Sequence, residues 1–446
     1  MKYTILATSI LLSFSAASIA DTSDIDIYGN GNKATVTQTD TFDSKATITI
    51  GTSANDVEGN KATITQDMTD EYTIGKAQAT IAQQGDDSTA YIKQTVTGYR
   101  GNVNDYGITQ ITQEAGTTDN RARLIQDGTG KTTITQKGYT SGSTAKIKAY
   151  GDGNTSIEQH AATNATASIN ERGNKTMFIT NDNHIKQIGT DLEATINQRS
   201  GTGNKSSIFQ LGGASSDLTA TITVNGNNNF NKVYAQEGQR IGLAIGVKGN
   251  TNSTEANQNG TDINTLVTID GNDNTTTLSQ IGATLGAGVV VEGNTNTTTL
   301  TQDGNFVLAG VFVDGDKNMT TVTQKGDYML AGVSIGETYI DGGTNIEGNR
   351  NQTVVIQEGD HTLAGVSIDG NSNSTTVNQD GSYIVASVDI AGSRNGASVM
   401  QSGLGQLTTL NIDGSTNTAT ITQTGSMNTS NNTMQGSGNI ITVAQN

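Results

Sequence analysis

The sequence predicts an all-β protein, a β-solenoid of stacked two-strand coils of 22 residues each, and three observations carry that expectation. The first is a repeat. Asn252 is followed six residues later by Gln258, and the same interval joins Asn274 to Gln280, Asn296 to Gln302, Asn318 to Gln324, Asn351 to Gln357, Asn373 to Gln379, Asn395 to Gln401, Asn417 to Gln423 and Asn439 to Gln445. Successive Gln positions stand 22 residues apart, with one step of 33 between Gln324 and Gln357. A fixed period of this length marks units that cannot bury their faces alone and must stack. The second observation is alternation: Asn296, Thr298, Leu300 and Gln302 fall on one face of a strand, and Thr297, Thr299 and Thr301 on the other. The third is that 446 residues contain no proline, which a chain built of strand ladders has almost nowhere to place.

Composition bounds what such a repeat can be. Hydrophobic residues make up 33% of the chain and aromatics 4%, too little for several compact cores. Polarity of this degree suits disorder, but a fixed period does not. With no cysteine there are no disulfide staples, so stability must come from stacking. The formal charge of −17 opposes binding to nucleic acid or to an anionic membrane. It also keeps single chains apart until a template or high concentration overcomes the repulsion.

Taken in order, residues 1–20, "MKYTILATSILLSFSAASIA", have the layout of a signal peptide. Lys2 gives the positive start, Ile5 to Phe14 a short apolar stretch, and Ser18-Ile19-Ala20 a small-x-small cleavage site. Helix is expected only in this segment. The mature chain then begins at Asp21, and the loss of Lys2 takes its charge to −18. No later segment approaches the roughly 20 apolar residues of a membrane span, so a secreted protein without membrane insertion is expected. Residues 21–246 carry the same arms at irregular intervals, as in the pairs Gln83 and Gln94 or Gln187 and Gln198. Residues 247–446 carry the regular 22-residue repeat, interrupted near 325–346 by eleven extra residues, either an added strand or a bulged loop.

Within a regular repeat the two arms differ. The arm eleven residues before the amide arm offers Leu285, Ala287, Val289 and Val291 in alternation, and later copies offer Val307, Ala309, Val311 and Val313 or Ile384, Ala386, Val388 and Ile390. One arm is therefore apolar inward and the other amide-rich inward. Turns follow each arm, as "VEGN", "VDGD", "IEGN" or "IDGN" after the apolar one and "QDG", "QKG" or "QEG" after the amide one, with Gly free to take positive φ. Stacked coils would set each inward Asn and Gln above its own copy about 4.8 Å away, able to donate to one neighbour and accept from the other. An unpaired buried amide costs about 1–3 kcal/mol, so these eighteen Asn and Gln residues, Asn252 to Gln445, are the candidate ladder that fixes register and drives self-assembly.

"NTTTLTQDG" (296–304), "NKATVTQ" (32–38), "NKATITQ" (60–66), "NRARLIQDG" (120–128) and "NTATITQTG" (417–425) resemble the N-x5-Q arm of the curlin repeat, the unit of bacterial curli fibres. The resemblance spans most of the chain after residue 20, more weakly from about 67 to 250. It implies a curlin-like solenoid that polymerises with itself into extracellular amyloid fibres of the biofilm matrix, acting in adhesion and cell aggregation. It also implies a nucleator subunit and an outer-membrane secretion pore as partners. The chain departs from the pattern where the other arm's Gln is replaced by Val291, Val313, Ile368 or Ile390, in its length, and in lacking an evident Gly-rich targeting segment after Ala20.

Signals for other chemistry are sparse. His160, His184 and His361 are far apart with no Cys beside them, so neither a metal nor a nucleophile site is expected, nor a cofactor or an enzyme. "DGNDN" (270–274) and "DGDKN" (314–318) imitate the start of a calcium loop, but Thr275 and Met319 stand where Gly is needed, and turn formation explains them. The competing reading is a monomeric solenoid that binds ice or glycan through outward Thr rows such as Thr297, Thr299, Thr301 and Thr418, Thr420, Thr422. Those rows are broken by Glu255, Met319, Gln352, Val354 and Met400. A polysaccharide lyase would need a cleft of clustered Asp, Arg or Lys, which the sequence does not offer.

Overall fold

The structure is a computed structural model and describes residues 10–14, 21–39, 44–53, 57–67, 76–95, 106–114, 116–127, 130–138, 142–150, 153–163, 165–171, 181–212, 217–236, 240–333 and 345–446. Every element among them is a β-strand, and every named strand pairing is parallel, in register except for shifts between His160 and Thr163 and between Gln198 and Ser200, so the fold is an all-β parallel solenoid. The chain divides into two compact units, residues 1–229 and 230–446.

The second unit has two walls, and each coil contributes one strand to each. The amide wall stacks Thr275–Ala283, Thr297–Asn305 and Met319–Lys325 among others, with Leu278, Leu300 and Val322 aligned, and Gln280, Gln302 and Gln324 aligned. The apolar wall stacks Gly286–Glu292, Leu308–Asp314 and Leu363–Asp369, aligning Val289 with Val311 and Val291 with Val313. The alternation decides which side chains point in: Thr298, Leu300 and Gln302 are buried, while Thr297 is exposed and Thr299 and Thr301 half-buried. Facing them are Leu285, Ala287, Val289 and Val291, all buried. At about 25 cal/mol per Å2, this apolar burial is the main drive for stacking.

The eleven extra residues enter in the middle of an apolar strand. Leu330–Val333 pairs with Leu308 to Val311, and the next position, Phe312, pairs with Asn345 at the start of Asn345–Glu347. The two pieces together fill one strand's place; residues 334–344 between them lie outside the described residues.

The first unit keeps the same design with uneven coils. One sheet carries Lys33–Thr39, Lys61–Asp67 and Thr89–Thr95, and the other Lys76–Gln83, Tyr106–Gln113 and Gly130–Lys137, each in register. Variation in length falls between strands, so the buried Ile column of Ile81, Ile111, Ile134, Ile157, Ile185 and Ile208 is uninterrupted.

Helix was expected in residues 1–20, and here the structure differs. Ile10–Phe14 is a strand paired in parallel with Ala34 to Gln38, because the open edge of Lys33–Thr39 offers backbone donors and acceptors to an apolar segment of high strand propensity. The cleavage site at Ser18 to Ala20 lies outside the described residues. Among the described residues no helix is long and apolar enough to cross a membrane.

Candidate functional site

At Gln258 and Gln280 the contact across the interior is with the Thr265 hydroxyl, and each Gln of the amide wall from Gln302 to Gln423 makes the same two kinds of bond. Its Nε2 donates to Oε1 of the Gln one coil on, and eight such bonds link Gln258, Gln280, Gln302, Gln324, Gln357, Gln379, Gln401, Gln423 and Gln445 at 2.7–3.1 Å. The same Nε2 reaches across the interior to a backbone carbonyl of the apolar wall, as Gln302 does to Gly286 at 3.2 Å and Gln379 to Leu363 at 3.0 Å. One side chain therefore joins coil to coil and wall to wall. The 33-residue step from Gln324 to Gln357 leaves the ladder intact at 3.1 Å, since the extra residues enter on the other wall.

The Asn residues are aligned as the period requires, but their amides act differently. Asn274 Oδ1 accepts the backbone N–H of Asn296 at 2.9 Å, and Asn274 Nδ2 donates to the Gly293 carbonyl at 2.8 Å. Both partners are backbone groups of the next coil. The pattern recurs from Asn252 through Asn296, Asn318, Asn351, Asn373 and Asn395 to Asn417. The shorter side chain sits beside the turn, where it satisfies a turn carbonyl that the strand ladder cannot reach. Side chains from Asn252 to Gln423 in this set are buried, whereas Asn439 is exposed and Gln445 half-buried. In that last coil Asn439 Nδ2 turns back to the Gln435 carbonyl at 2.9 Å.

Close stacking at the turns depends on glycine. Gly304 has φ 154°, and a Cβ there would lie 1.8 Å from the carbonyl oxygen of Gly326 one coil on. Two residues after each such Gly stands a residue in the left-handed region, and it is mostly not glycine: Thr295, Phe306, Lys317 and Tyr328 have φ between 56° and 61°.

Two ladders on the surface escaped the sequence reading. Asn250, Asn272, Asn294, Asp316, Asn349 and Asn371 form a column at one turn, each backbone N–H donating to the next side-chain oxygen at 2.7–2.9 Å. At the opposite turn Phe306, Tyr328, His361 and Tyr383 stack ring on ring, with centroids 5.0, 4.9 and 4.7 Å apart. The signal for both was the period itself: Phe306, Tyr328, His361 and Tyr383 follow the same 22- and 33-residue steps as the Gln column.

The amide ladder also persists in the first unit despite the irregular spacing. Gln83, Gln113, Gln136, Gln159, Gln187 and Gln210 are linked at 2.8–3.0 Å on one sheet, and Gln38, Gln66 and Gln94 at 3.0 Å on the other. A carboxyl, Glu171, occupies the position in register with Gln198. It accepts from Asn181 Nδ2 at 2.8 Å, Thr155 Oγ1 at 3.1 Å and Asn183 Nδ2 at 3.2 Å. Burial pushes its pKa above the ordinary carboxylate range, against the pull of those hydrogen bonds.

The histidines are not brought together. His184 Nδ1 lies 2.5 Å from Ser156 Oγ, and burial lowers its pKa; His361 belongs to the ring stack. Among the described residues no group of three or more His, Cys, Asp or Glu side chains could hold a metal ion. In "DGNDN", Asn272 and Asn274 are spent on the two Asn ladders.

The parallel solenoid with a repeated inward amide defines the class of this protein. Residues 271–304, 293–326, 348–381 and 392–425 match the family described as the curlin associated repeat. These four matches, all within residues 271–425, support a curlin-repeat family for this part of the chain. No curated protein matches the chain. The repeats and the fold together fit a curli-like structural subunit of a non-enzymatic family.

Proposed function

We propose that this protein is a secreted subunit that assembles end to end into extracellular curli-like amyloid fibres of a biofilm matrix, serving adhesion and cell aggregation. The observation that supports this most is the Gln ladder from Gln258 to Gln445, in which every coil presents the next with one amide donor and one acceptor at a fixed position. Such a column has no preferred length, and a second chain docked on the last coil would extend it by the same bond. The strand Ile440–Gln445 pairs with Thr418–Ser426, Ile440 is 77% exposed, and the Asn439 amide is turned back on its own chain. In the fibre the eighteen Asn and Gln residues from Asn252 to Gln445 act as the register code, for a slip of one residue would bury the outward Thr set and expose the amides. A nucleator and a secretion pore are the partners the family resemblance implies, and residues 1–20 direct export.

Outward Thr rows do not favour the ice- or glycan-binding reading. Thr297, Thr299 and Thr301 are succeeded in register by Met319, Thr321 and Thr323, and then by Gln352, Val354 and Ile356, so no flat Thr array continues.

Incubating the purified chain without residues 1–20 and following Thioflavin fluorescence alongside electron microscopy tests the proposal. Fibres should form, and a chain carrying Ile441→Pro and Val443→Lys should elongate several-fold more slowly while its other coils stay folded. A protein that stays monomeric at high concentration, or a variant that elongates at the unmodified rate, would contradict it.

A further inference from the structure

The ring column at one turn of the second unit misses a rung. Phe306, Tyr328, His361 and Tyr383 stack at 4.7–5.0 Å, and the next two positions of that column are Gly405 and Met427. The coils themselves continue in step, for Gly405 N–H donates to the Ser382 carbonyl at 3.0 Å and Met427 N–H to the Leu404 carbonyl at 2.8 Å. Tyr383 and Met427 are therefore two coil rises apart, about 9.6 Å, with only glycine between them. The backbone does not demand glycine there: Gly405 has φ 67°, and Tyr383 and Met427 hold the same left-handed conformation at 59° and 58° with full side chains. Apart from its chain neighbours, a Cβ at Gly405 would have only Met427 Cγ within 4 Å among the described residues, at 3.5 Å, so the space toward Tyr383 is open. Around the missing rung the surface is apolar. Tyr383 is 59% and Met427 79% exposed, and the exposed Leu404 and Leu407 stand on either side of the glycine. The neighbouring columns are uncharged at all three coils, with Ser382, Leu404 and Ser426 before it and Val385, Leu407 and Thr429 after it. Asp327 and Asp360 occupy the first of these columns, but beside Tyr328 and His361.

We propose that the missing rung is a binding site for a planar, uncharged aromatic molecule, which enters at Gly405 and completes the stack. The fold sets the thickness of the ligand. A ring placed midway lies one rise from Tyr383, as His361 does on the other face at 4.7 Å, and one rise from Met427. Aromatic rings stack favourably at such separations, and the flexible, polarizable thioether of Met427 closes on the second face. Leu404 and Leu407 then cover the edges, so four exposed apolar side chains leave water together. A bent or aliphatic ligand of the same width loses its contact with the tyrosine ring. An ionised ligand leaves water for a site with no opposite charge in either neighbouring column at these coils. All these residues belong to one chain, so the site exists before any assembly and does not rest on the fibre proposal.

Titration of the soluble chain with acridone, a neutral planar tricycle, followed by its fluorescence and by the methyl resonance of Met427, tests the site. One acridone should bind per chain, and the Met427 methyl, placed over a ring, should shift upfield. Gly405→Tyr supplies the rung from within the chain. The column already holds tyrosine in this conformation, so strand content should be kept while affinity falls at least tenfold. Tyr383→Ser removes one wall and should also weaken binding at least tenfold, whereas Phe306→Ser, at the far end of the stack, should leave it unchanged. A Gly405→Tyr chain that binds acridone as the unmodified chain does would overturn the proposal. So would several acridones per chain with no shift of the Met427 methyl, or an unmodified chain that binds none, including the case in which a ring of a second copy fills the rung and Gly405→Tyr merely separates the pair.

Discussion

At the scale of the residue, the informative contrast is between amides of different length. Gln reaches the next Gln, and Asn reaches the next turn. The spacing N-x5-Q made both residues legible as inward and stacked, but it could not say which partner each would choose, since that depends on how far the side chain stands from the turn. Glu171 shows what the column requires. Beside it Asn183 Oδ1 and Gln198 Nε2 are buried without a hydrogen-bond partner among the described residues. A charged carboxylate can only accept, so it cannot satisfy Asn183 Oδ1, whereas a protonated acid or an amide can. The folded-state pKa of Glu171 is raised, so the stability linked to it is fully present below the unfolded value near 4.5 and is lost as pH rises through the folded value. Glu171→Gln should therefore stabilise the first unit at neutral pH by about 1–3 kcal/mol and remove this part of its pH dependence. Thermal unfolding of both chains from pH 4 to pH 8 checks this: the difference between them should grow as pH rises, and parallel curves would contradict the assignment.

At the scale of the element, the strand interiors were legible from alternation and the turns only in outline. Glycine was expected at each turn, and its necessity is clear from the carbonyl that a Cβ at Gly304 would strike. The left-handed residue that follows was not anticipated, because Phe306, Tyr328 and His361 are poor choices for that conformation by local propensity alone. Stacking of their rings one coil apart offsets the local strain, and a gain of that kind exists only once the coils are stacked. The amide wall also carries a defect. Thr254, Thr276, Thr298, Thr320, Thr353 and Thr375 form a buried column whose hydroxyls have no hydrogen-bond partner among the described residues. Hydroxyls about 4.8 Å apart cannot reach one another, unlike the longer Gln amides. Changing Thr276, Thr298 and Thr320 together to Val should thus raise the unfolding free energy, by about 1 kcal/mol per site. Changing Gln280, Gln302 and Gln324 together to Leu should lower it by several kcal/mol, since Thr265 Oγ1 and Gln357 Oε1 lose their Gln partners, Gln258 Nε2 keeps only Thr265, and the tie between walls is cut. Denaturant unfolding of the two variants compares them, and a loss of stability with valine would show that the hydroxyls are satisfied after all.

At the scale of the whole molecule, the sequence period was enough to read a stack of two-strand coils, because register in a parallel solenoid repeats residue by residue. It was not enough where length varies. In the first unit the Gln column survives steps of 30, 23, 23, 28 and 23 residues, since the variation falls between strands and leaves the buried column aligned. The eleven extra residues of the second unit could be placed as a strand or a loop from sequence alone, and pairing of Val311 with Val333 but Phe312 with Asn345 locates them within a strand. What the coils of each unit have in common is a cross-section that repeats at a fixed rise, with polar and apolar columns running along that unit's own axis. Diffraction from aligned fibres of the chain without residues 1–20 tests this most directly. The account predicts a strong reflection near 4.8 Å along the fibre axis, from strands lying across it, and a reflection near 10 Å perpendicular to it. A 4.8 Å reflection perpendicular to the fibre axis, from strands running along the fibre, would contradict it.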